Sequence, residues 1–389
     1  MYSGQIVFAQ LMEFLPRHDF SRCVRRYHGD ARNRGFSCRD QFLAMAFAQL
    51  TFRESLRDIE TCLRAVGPKL YHAGFRGKVS RSTLADANER HDWRIFADFA
   101  AVLIKRARKL YAQDDFGVNL QQTVYAFDST TIDLCLSLFP WARFRRRTGA
   151  VKLHTFVDVR GNIPCFIHIS HGKMADVSAL DHLVVEPGAF YVMDRGYVDF
   201  ARLYRFTLEA AFFIVRGKRG MDYIRKASSP VDKSTGLRSD QRIVLDGRKT
   251  STLYPAELRR VTYVDVDTEK RFVFLTNNFS LPALVIARLY KCRWQVELFF
   301  KWIKQHLRIK AFFGTTPNAV KTQVWIAIGV YVLVAILKKE LRIPRSLYEI
   351  LQIFSVTLFE KTPVFEALTS QTDKNDTSAT SNQLTLFNL

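Results

Sequence analysis

Apolar residues recur every three to four positions from the N-terminus to about residue 112, the period of an amphipathic helix. SCRDQFLAMAFAQLTF carries that pattern behind Ser37, a residue type whose hydroxyl accepts from a backbone amide at a helix start. ESLRDIETCLRAV continues it, and Asp92 to Leu110 is a further amphipathic stretch. Between them, RGKVSRSTLADANERHDW sets Arg76, Lys78 and Arg81 just ahead of Ser82 or Thr83 as a cap. A basic, Ser-rich loop leading into a short helix either presents cations and amide N–H groups to phosphates or is a solvated loop of a helical bundle.

From about residue 120 the period changes to that of strands. QTVYAFDSTTIDL reads as a strand ending in polar residues, and KLHTFVDVRGNIPCFIHIS as two strands around the turn Arg160-Gly161-Asn162. AFYVMDRGY and AAFFIVRG are two further short strands, separated by helical segments in DVSALDHLVV and YVDFARLYRFTLEA. After RGKRGMDYIRKASSP and the polar stretch DKSTGLRSDQR, alternating segments up to KRFVFLTNN read as antiparallel strands. The order strand, hairpin, helix, strand, helix, strand, then an interruption and a helix, matches a ribonuclease-H-like α/β fold carrying a β-rich insertion. Val324 to Leu337 is the most apolar run; it falls short of the roughly 20 residues of a membrane span and reads as a buried core helix.

That later helix, LYKCRWQVELFFKWIKQHL, carries the most informative pattern. At about 100° per residue, Tyr290, Arg293, Glu297 and Lys304 fall within about 40° of one line. An i,i+4 Arg–Glu pair is common surface stabilisation. Here, however, Leu289, Val296, Leu298, Phe299, Phe300 and Ile303 leave little of the helix fit to face water. A polar stripe in that setting suits a site for a divalent cation and phosphate, with Glu as metal ligand and the cations on phosphate oxygens.

Upstream, Asp128 ends the apolar run VYAFD and Asp194 ends FYVMD, with Gly196 two residues on. A lone Asp at a strand end is ordinarily a turn residue. In a ribonuclease-H-like sheet these two strands are neighbours, so both carboxylates meet at one sheet end with the Glu297 helix across them. Three converging carboxylates repel one another unless cations intervene, and their hard oxygens suit Mg²⁺ or Mn²⁺ rather than zinc. Asp176 is a fourth candidate that also suits a helix cap. Cys165, His168 and His171 stand at offsets of three on a strand, on alternating faces, and read as structural, as does His154.

The spacing Y-x2-R-x3-E-x6-K, with the two upstream Asp residues, resembles the insertion-sequence-four family of DDE transposases over roughly residues 30 to 340. The resemblance implies Mg-dependent cleavage at the ends of an insertion sequence and strand transfer into target DNA, catalysed by Asp128, Asp194 and Glu297 as metal ligands. It implies Tyr290, Arg293 and Lys304 on phosphates near the transposon terminus, and a homodimer holding two ends. Relatives place a Trp of the insertion on a flipped base; this insertion has none, which leaves Tyr223, Tyr254 or Tyr263 as substitutes. The domains then read as a helical DNA-binding domain (1–112), the first part of the catalytic core (113–216), the β-rich insertion (217–278), the rest of the core with the Glu297 helix and C-terminal helices (279–365), and a disordered tail (366–389). The alternative is a ribonuclease-H-like, metal-dependent DNA nuclease without strand transfer.

Net charge sharpens the choice of partner. At +21 over 389 residues the chain favours a polyanion. RFRRRTGAVK concentrates Arg143, Arg145, Arg146, Arg147 and Lys152 between the first two core strands, where they would meet phosphates beside the scissile bond, as would Arg195. A second basic patch is Arg216, Lys218, Arg219, Arg225 and Lys226. Six cysteines without a CxxC pair suit a reducing cytoplasm, and MYSGQIVFAQLMEF lacks the form of a secretory signal, so a cytoplasmic, nucleoid-associated bacterial protein with no membrane partner is expected. On the polar tail, Gln383, Leu384, Leu386 and Phe387 resemble the short peptide that docks on the bacterial replication sliding clamp.

Overall fold

The computed structural model describes residues 4–31, 35–67, 69–144, 149–306 and 312–369; the tail residues Gln383, Leu384, Leu386 and Phe387 and the arginines Arg145, Arg146 and Arg147 lie outside them. Seven helices come first: α1 (Val7–Glu13), α2 (Arg17–Arg26), α3 (Cys38–Leu50), α4 (Leu56–Val66), α5 (Lys69–His72), α6 (Arg81–Arg90) and α7 (Trp93–Tyr111). Ser37 caps α3 reciprocally with Asp40, satisfying two otherwise unpaired amides at its start. α6 begins two or three residues earlier than a cap at Ser82 or Thr83 would have it, because the Ser80 hydroxyl accepts from the Thr83 amide at 3.1 Å.

The strands and remaining helices follow as β1 (Val124–Leu134), β2 (Gly149–Asp158), β3 (Ile163–His171), β4 (Phe190–Met193), α8 (Phe200–Leu208), β5 (Phe212–Arg216), β6 (Tyr223–Ser229), β7 (Leu237–Leu245), α9 (Thr250–Leu253), β8 (Leu258–Val264) and β9 (Arg271–Thr276). After them come α10 (Ala283–Lys291), α11 (Trp294–His306), α12 (Pro317–Glu340), α13 (Leu347–Thr357) and α14 (Val364–Thr369). The helix expected after Asp176 is a 3-10 turn, Asp176–His182.

All nine strands join one sheet in the order β3-β2-β1-β4-β5-β9-β8-β7-β6. β1 runs antiparallel to β2 and parallel to β4, β4 parallel to β5, and β9 antiparallel to β5. The strands of residues 223–276 therefore extend the same sheet through β9. One face packs on a large apolar cluster shared by the N-terminal helices and by α10–α14; the other packs on α8 and the 3-10 turns around Tyr197. α12 is long and apolar enough to cross a membrane by length and composition, but it is almost wholly buried in this protein, against α7, α3 and α6. The Tyr331 hydroxyl of α12 donates to the Asn162 carbonyl at the β2–β3 turn, and the Tyr111 hydroxyl of α7 donates to the Ala335 carbonyl of α12, each at 2.9 Å.

At the hairpin turn Gly161 has φ +73°, and a Cβ there would lie 2.2 Å from the Tyr111 ring. Glycine is required twice over, by conformation and by space. Gly188 has a similar φ of +78° but open space around it. Gly161→Ala is therefore expected to cost about 2–4 kcal/mol and Gly188→Ala about 1 kcal/mol, read from urea denaturation midpoints. Equal losses at the two positions would show that the ring contact contributes nothing.

Candidate active site

Asp128 and Asp194 meet because of strand register. β1 and β4 pair in parallel from Val124–Phe190 to Phe127–Met193, so the next residue on each strand, Asp128 and Asp194, stands abreast. Side chains alternate along a strand, which turns both carboxylates to the face opposite Phe127 and Met193. Asp128 does not end its strand: β1 runs on to Leu134, paired with β2 as far as Gly149. It is β4 that stops, at Met193. From Asp128 onward one flank of β1 has no β4 partner, and α11 packs across β1 and β2 there.

The helical stripe expected over Tyr290–Lys304 is broken. α10 ends at Lys291 and α11 starts at Trp294, joined by tight i→i+3 bonds from the Cys292 and Arg293 amides to the Leu289 and Tyr290 carbonyls. Tyr290 thus sits on one helix and Glu297 on another, with Arg293 at the junction. The side chains still converge. The Tyr290 hydroxyl donates to Asp194 Oδ1 at 3.0 Å, one Arg293 nitrogen donates to Asp128 Oδ2 at 2.9 Å, and another is bonded to Glu297 Oε1. One guanidinium bridges two carboxylates, a charge-assisted arrangement. Lys304 is half-buried further along α11. Leu298, expected inside, is 40 % exposed, and beside Arg293 Trp294 is 50 % exposed.

Burial raises Asp128 above the ordinary carboxylate range, against the lowering effect of the Ser129 amide and Arg293; Glu297 and Asp194 push it further up. Burial likewise raises the Tyr290 phenol, with Asp194 adding to it, so the phenol stays a hydrogen-bond donor. One buried oxygen near Asp128, Thr155 Oγ1 on the β2 residue paired with it, has no hydrogen-bond partner among the described residues, and the Tyr197 hydroxyl is buried nearby. Asp128, Asp194 and Glu297 offer hard carboxylate oxygens, linked through Arg293 and Tyr290.

Other expected residues divide. Arg143 and Arg195 are exposed, Arg195 directly after Asp194. Lys152 is not a solvent-facing cation: it is nearly buried, donating to Asp176 Oδ1 at 3.0 Å and to the Met174 carbonyl. Asp176 caps no helix and is held by that lysine. His154 is fully buried with Nε2 2.9 Å from the Ser170 hydroxyl, and His168 stacks on His182 with ring centroids 4.3 Å apart. Tyr254 and Tyr263 are buried, Tyr254 against the Thr207 hydroxyl, so neither ring is open to a base; Tyr223 lies under Arg260. Trp294, Thr155 and Tyr197 escaped the sequence reading. An exposed Trp next to Arg293 had a signal only in its position, since its residue type in an apolar helix pointed inward.

A family model described as a Transposase DDE domain matches residues 119–333, and one described as a domain of unknown function matches residues 3–76. A protein of Sinorhizobium fredii named as a transposase is 31% identical over 281 residues, 72% of this chain and 77% of the relative. One of Geobacillus stearothermophilus, named as a transposase for an insertion sequence element, is 27% identical over 65% of this chain and 66% of its own length. A third, of Synechocystis, is 24% identical over 82% of this chain and 88% of its own. A solved piggyBac transposase synaptic complex with hairpin DNA aligns at 10% identity with a TM-score of 0.46, covering 96% of this chain and 83% of that one. Divalent metal ions serve catalysis in the matched family. With the matched domain spanning more than half of its length and a relative above 30% identity, the chain belongs to the insertion-sequence-four type of DDE transposases.

Proposed function

We propose that this transposase cuts phosphodiesters at the ends of its own insertion sequence and joins the freed 3′-hydroxyl ends to target DNA, with Asp128, Asp194 and Glu297 as ligands of a pair of Mg²⁺ ions for which Mn²⁺ substitutes. The observation that carries this reading is the convergence of three carboxylates, from β1, the end of β4 and α11, on one guanidinium and one phenol. Arg293 already answers their need for positive charge, so the donor set fits divalent cations. When bound, such ions supply an activated water or 3′-hydroxyl and stabilise the leaving oxygen of an in-line displacement. Tyr290 orients Asp194 by donating to it. Arg293, on yielding the carboxylates, offers a two-pronged donor to a phosphate oxygen. Lys304, Arg143, Arg145, Arg146, Arg147 and Arg195 line the flanking backbone.

The strand order 3-2-1-4-5, with β1, β4 and β5 parallel, supports a ribonuclease-H-like core, with 217–278 as the β-rich insertion and 1–112 as the DNA-binding helices. The active form in this reading is a homodimer on two ends, acting at the nucleoid, with the terminal peptide at Gln383, Leu384, Leu386 and Phe387 docking on the sliding clamp. A nuclease without strand transfer uses the same site. Incubation of pre-cleaved ends with supercoiled target separates them: joined products support transposition, and their absence under conditions that still nick supports the nuclease.

Asp128→Asn, Asp194→Asn and Glu297→Gln are each expected to lower end cleavage by at least about 100-fold while leaving end binding by gel shift intact. Near wild-type cleavage by any one of them would remove that residue from the site.

Each charge-assisted hydrogen bond from Arg293 contributes about 1.5–3 kcal/mol to holding the carboxylates. Arg293→Ala is therefore expected to tighten Mn²⁺ binding by about tenfold or more, in calorimetry without DNA, while cleavage falls. Lys304→Ala leaves Mn²⁺ affinity unchanged and lowers the salt slope of end binding by about one unit. Weaker Mn²⁺ binding by Arg293→Ala would mean that the guanidinium builds the metal site instead of competing for it.

A further inference from the structure

Away from the carboxylates, three residues of different chemistry converge where α2, α3 and α6 meet. Asp30 follows α2, Cys38 is the first residue of α3, and His91 ends α6. One donor atom from each, a carboxylate oxygen, a thiol sulfur and a ring nitrogen, lies within 4.8 Å of the others. Cys38 and His91 are buried while Asp30 is exposed, so the cluster reaches from the core to the surface.

The surroundings orient these donors. Asp30 Oδ1 accepts from the Cys38 amide at 2.8 Å, fixing the carboxylate over the start of α3. Gln41, fully buried, donates its Nε2 to Asn88 Oδ1 at 2.7 Å, which turns its carbonyl oxygen to His91 Nδ1 at 2.6 Å. That oxygen accepts from Nδ1–H, the hydrogen bond by which a histidine that holds a metal through its other ring nitrogen is oriented. The chain must also pass close: a Cβ on Gly29 would lie 2.7 Å from the Cys38 sulfur and 2.6 Å from Ile95. A surface cavity lined by Gly29, Lys78, Arg90 and His91 lies beside the cluster.

We propose that Asp30, Cys38 and His91 bind a zinc-class transition-metal ion, separate from the divalent ions of the carboxylate site, which pins the chain after α2 and the α6–α7 junction to the start of α3. Sulfur, imidazole and carboxylate together select a borderline-soft ion of tetrahedral habit and not Mg²⁺. On binding, a sulfur–metal bond replaces the S–H bond and the proton passes to solvent. The ion then clamps the two segments that flank the exposed basic stretch Arg76, Lys78 and Arg81.

The test uses the full-length protein stripped of metal and titrated with Co²⁺, which reports thiolate ligation through a charge-transfer band and tetrahedral geometry through visible absorption. One equivalent is expected to produce both signals in the wild type and in Cys135→Ser, which removes an exposed thiol elsewhere. Cys38→Ser is expected to abolish the charge-transfer band. Asp30→Asn, at an exposed position that leaves the fold intact by circular dichroism, is expected to weaken Co²⁺ and Zn²⁺ binding by at least about tenfold and to reduce the rise in melting temperature that Zn²⁺ gives the wild type. No band in folded wild-type protein, a band retained in Cys38→Ser, or unchanged affinity in Asp30→Asn each overturns the proposal. If Cys38→Ser does not fold, Asp30→Asn decides.

Discussion

The site depends on the way β1 is held between two unequal neighbours. β2 pairs along almost its whole length, and β4 pairs for four residues and stops at Met193. The rung at which β4 ends is the rung of Asp128 and Asp194, so two carboxylates 66 positions apart in sequence stand side by side where the sheet opens to α11. A slip of one residue would send Asp128 to the face of Phe127, into an aromatic cluster. That cluster resists the slip: Phe127 stacks on Phe156 with centroids 3.9 Å apart and packs on Tyr197 at 4.6 Å. Apolar packing on one face of the sheet thus fixes the chemistry on the other.

The far half of the sheet contributes as well. Arg259 on β8 is buried in a paired contact with Asp240 on β7, and its remaining nitrogen donates to the Leu281 carbonyl at 2.6 Å, just ahead of α10. An ion pair this deep is stable only when every charged atom is satisfied, and removing either partner would leave a buried charge exposed to nothing. Its consequence is positional. The start of α10 is anchored to β7 and β8, and the other end of α10 carries Tyr290 to Asp194. Residues 217–278 are therefore mechanically connected to the carboxylates that they flank in sequence.

Charge balance explains why the cations do not all face outward. In a chain of net charge +21, Arg293 and Lys152 point inward to carboxylates, while Arg143 and Arg195 remain exposed. Residue type and clustering fail to separate these roles, because an arginine on a loop and one at a helix junction look alike until the neighbouring strands are placed. The exposed Trp294 and the buried Tyr254 and Tyr263 illustrate the same point for aromatic residues.

Local pattern was sufficient for the helical N-terminal third, the Ser37 cap, the β2–β3 hairpin, the burial of α12, and the family, because each rests on periodicity or spacing within a few residues. The polar spacing of Tyr290, Arg293, Glu297 and Lys304 was legible, but the break between α10 and α11 was not, since Lys291, Cys292, Arg293 and Trp294 include no helix-breaking residue and only the packing of two helices against one sheet imposes the turn. For the same reason the true length of β1, the continuation of the sheet through β9, and the meeting of Asp30, Cys38 and His91 were invisible. Each is a contact between segments tens of residues apart, and a linear sequence encodes such contacts only through the packing energy of the whole fold.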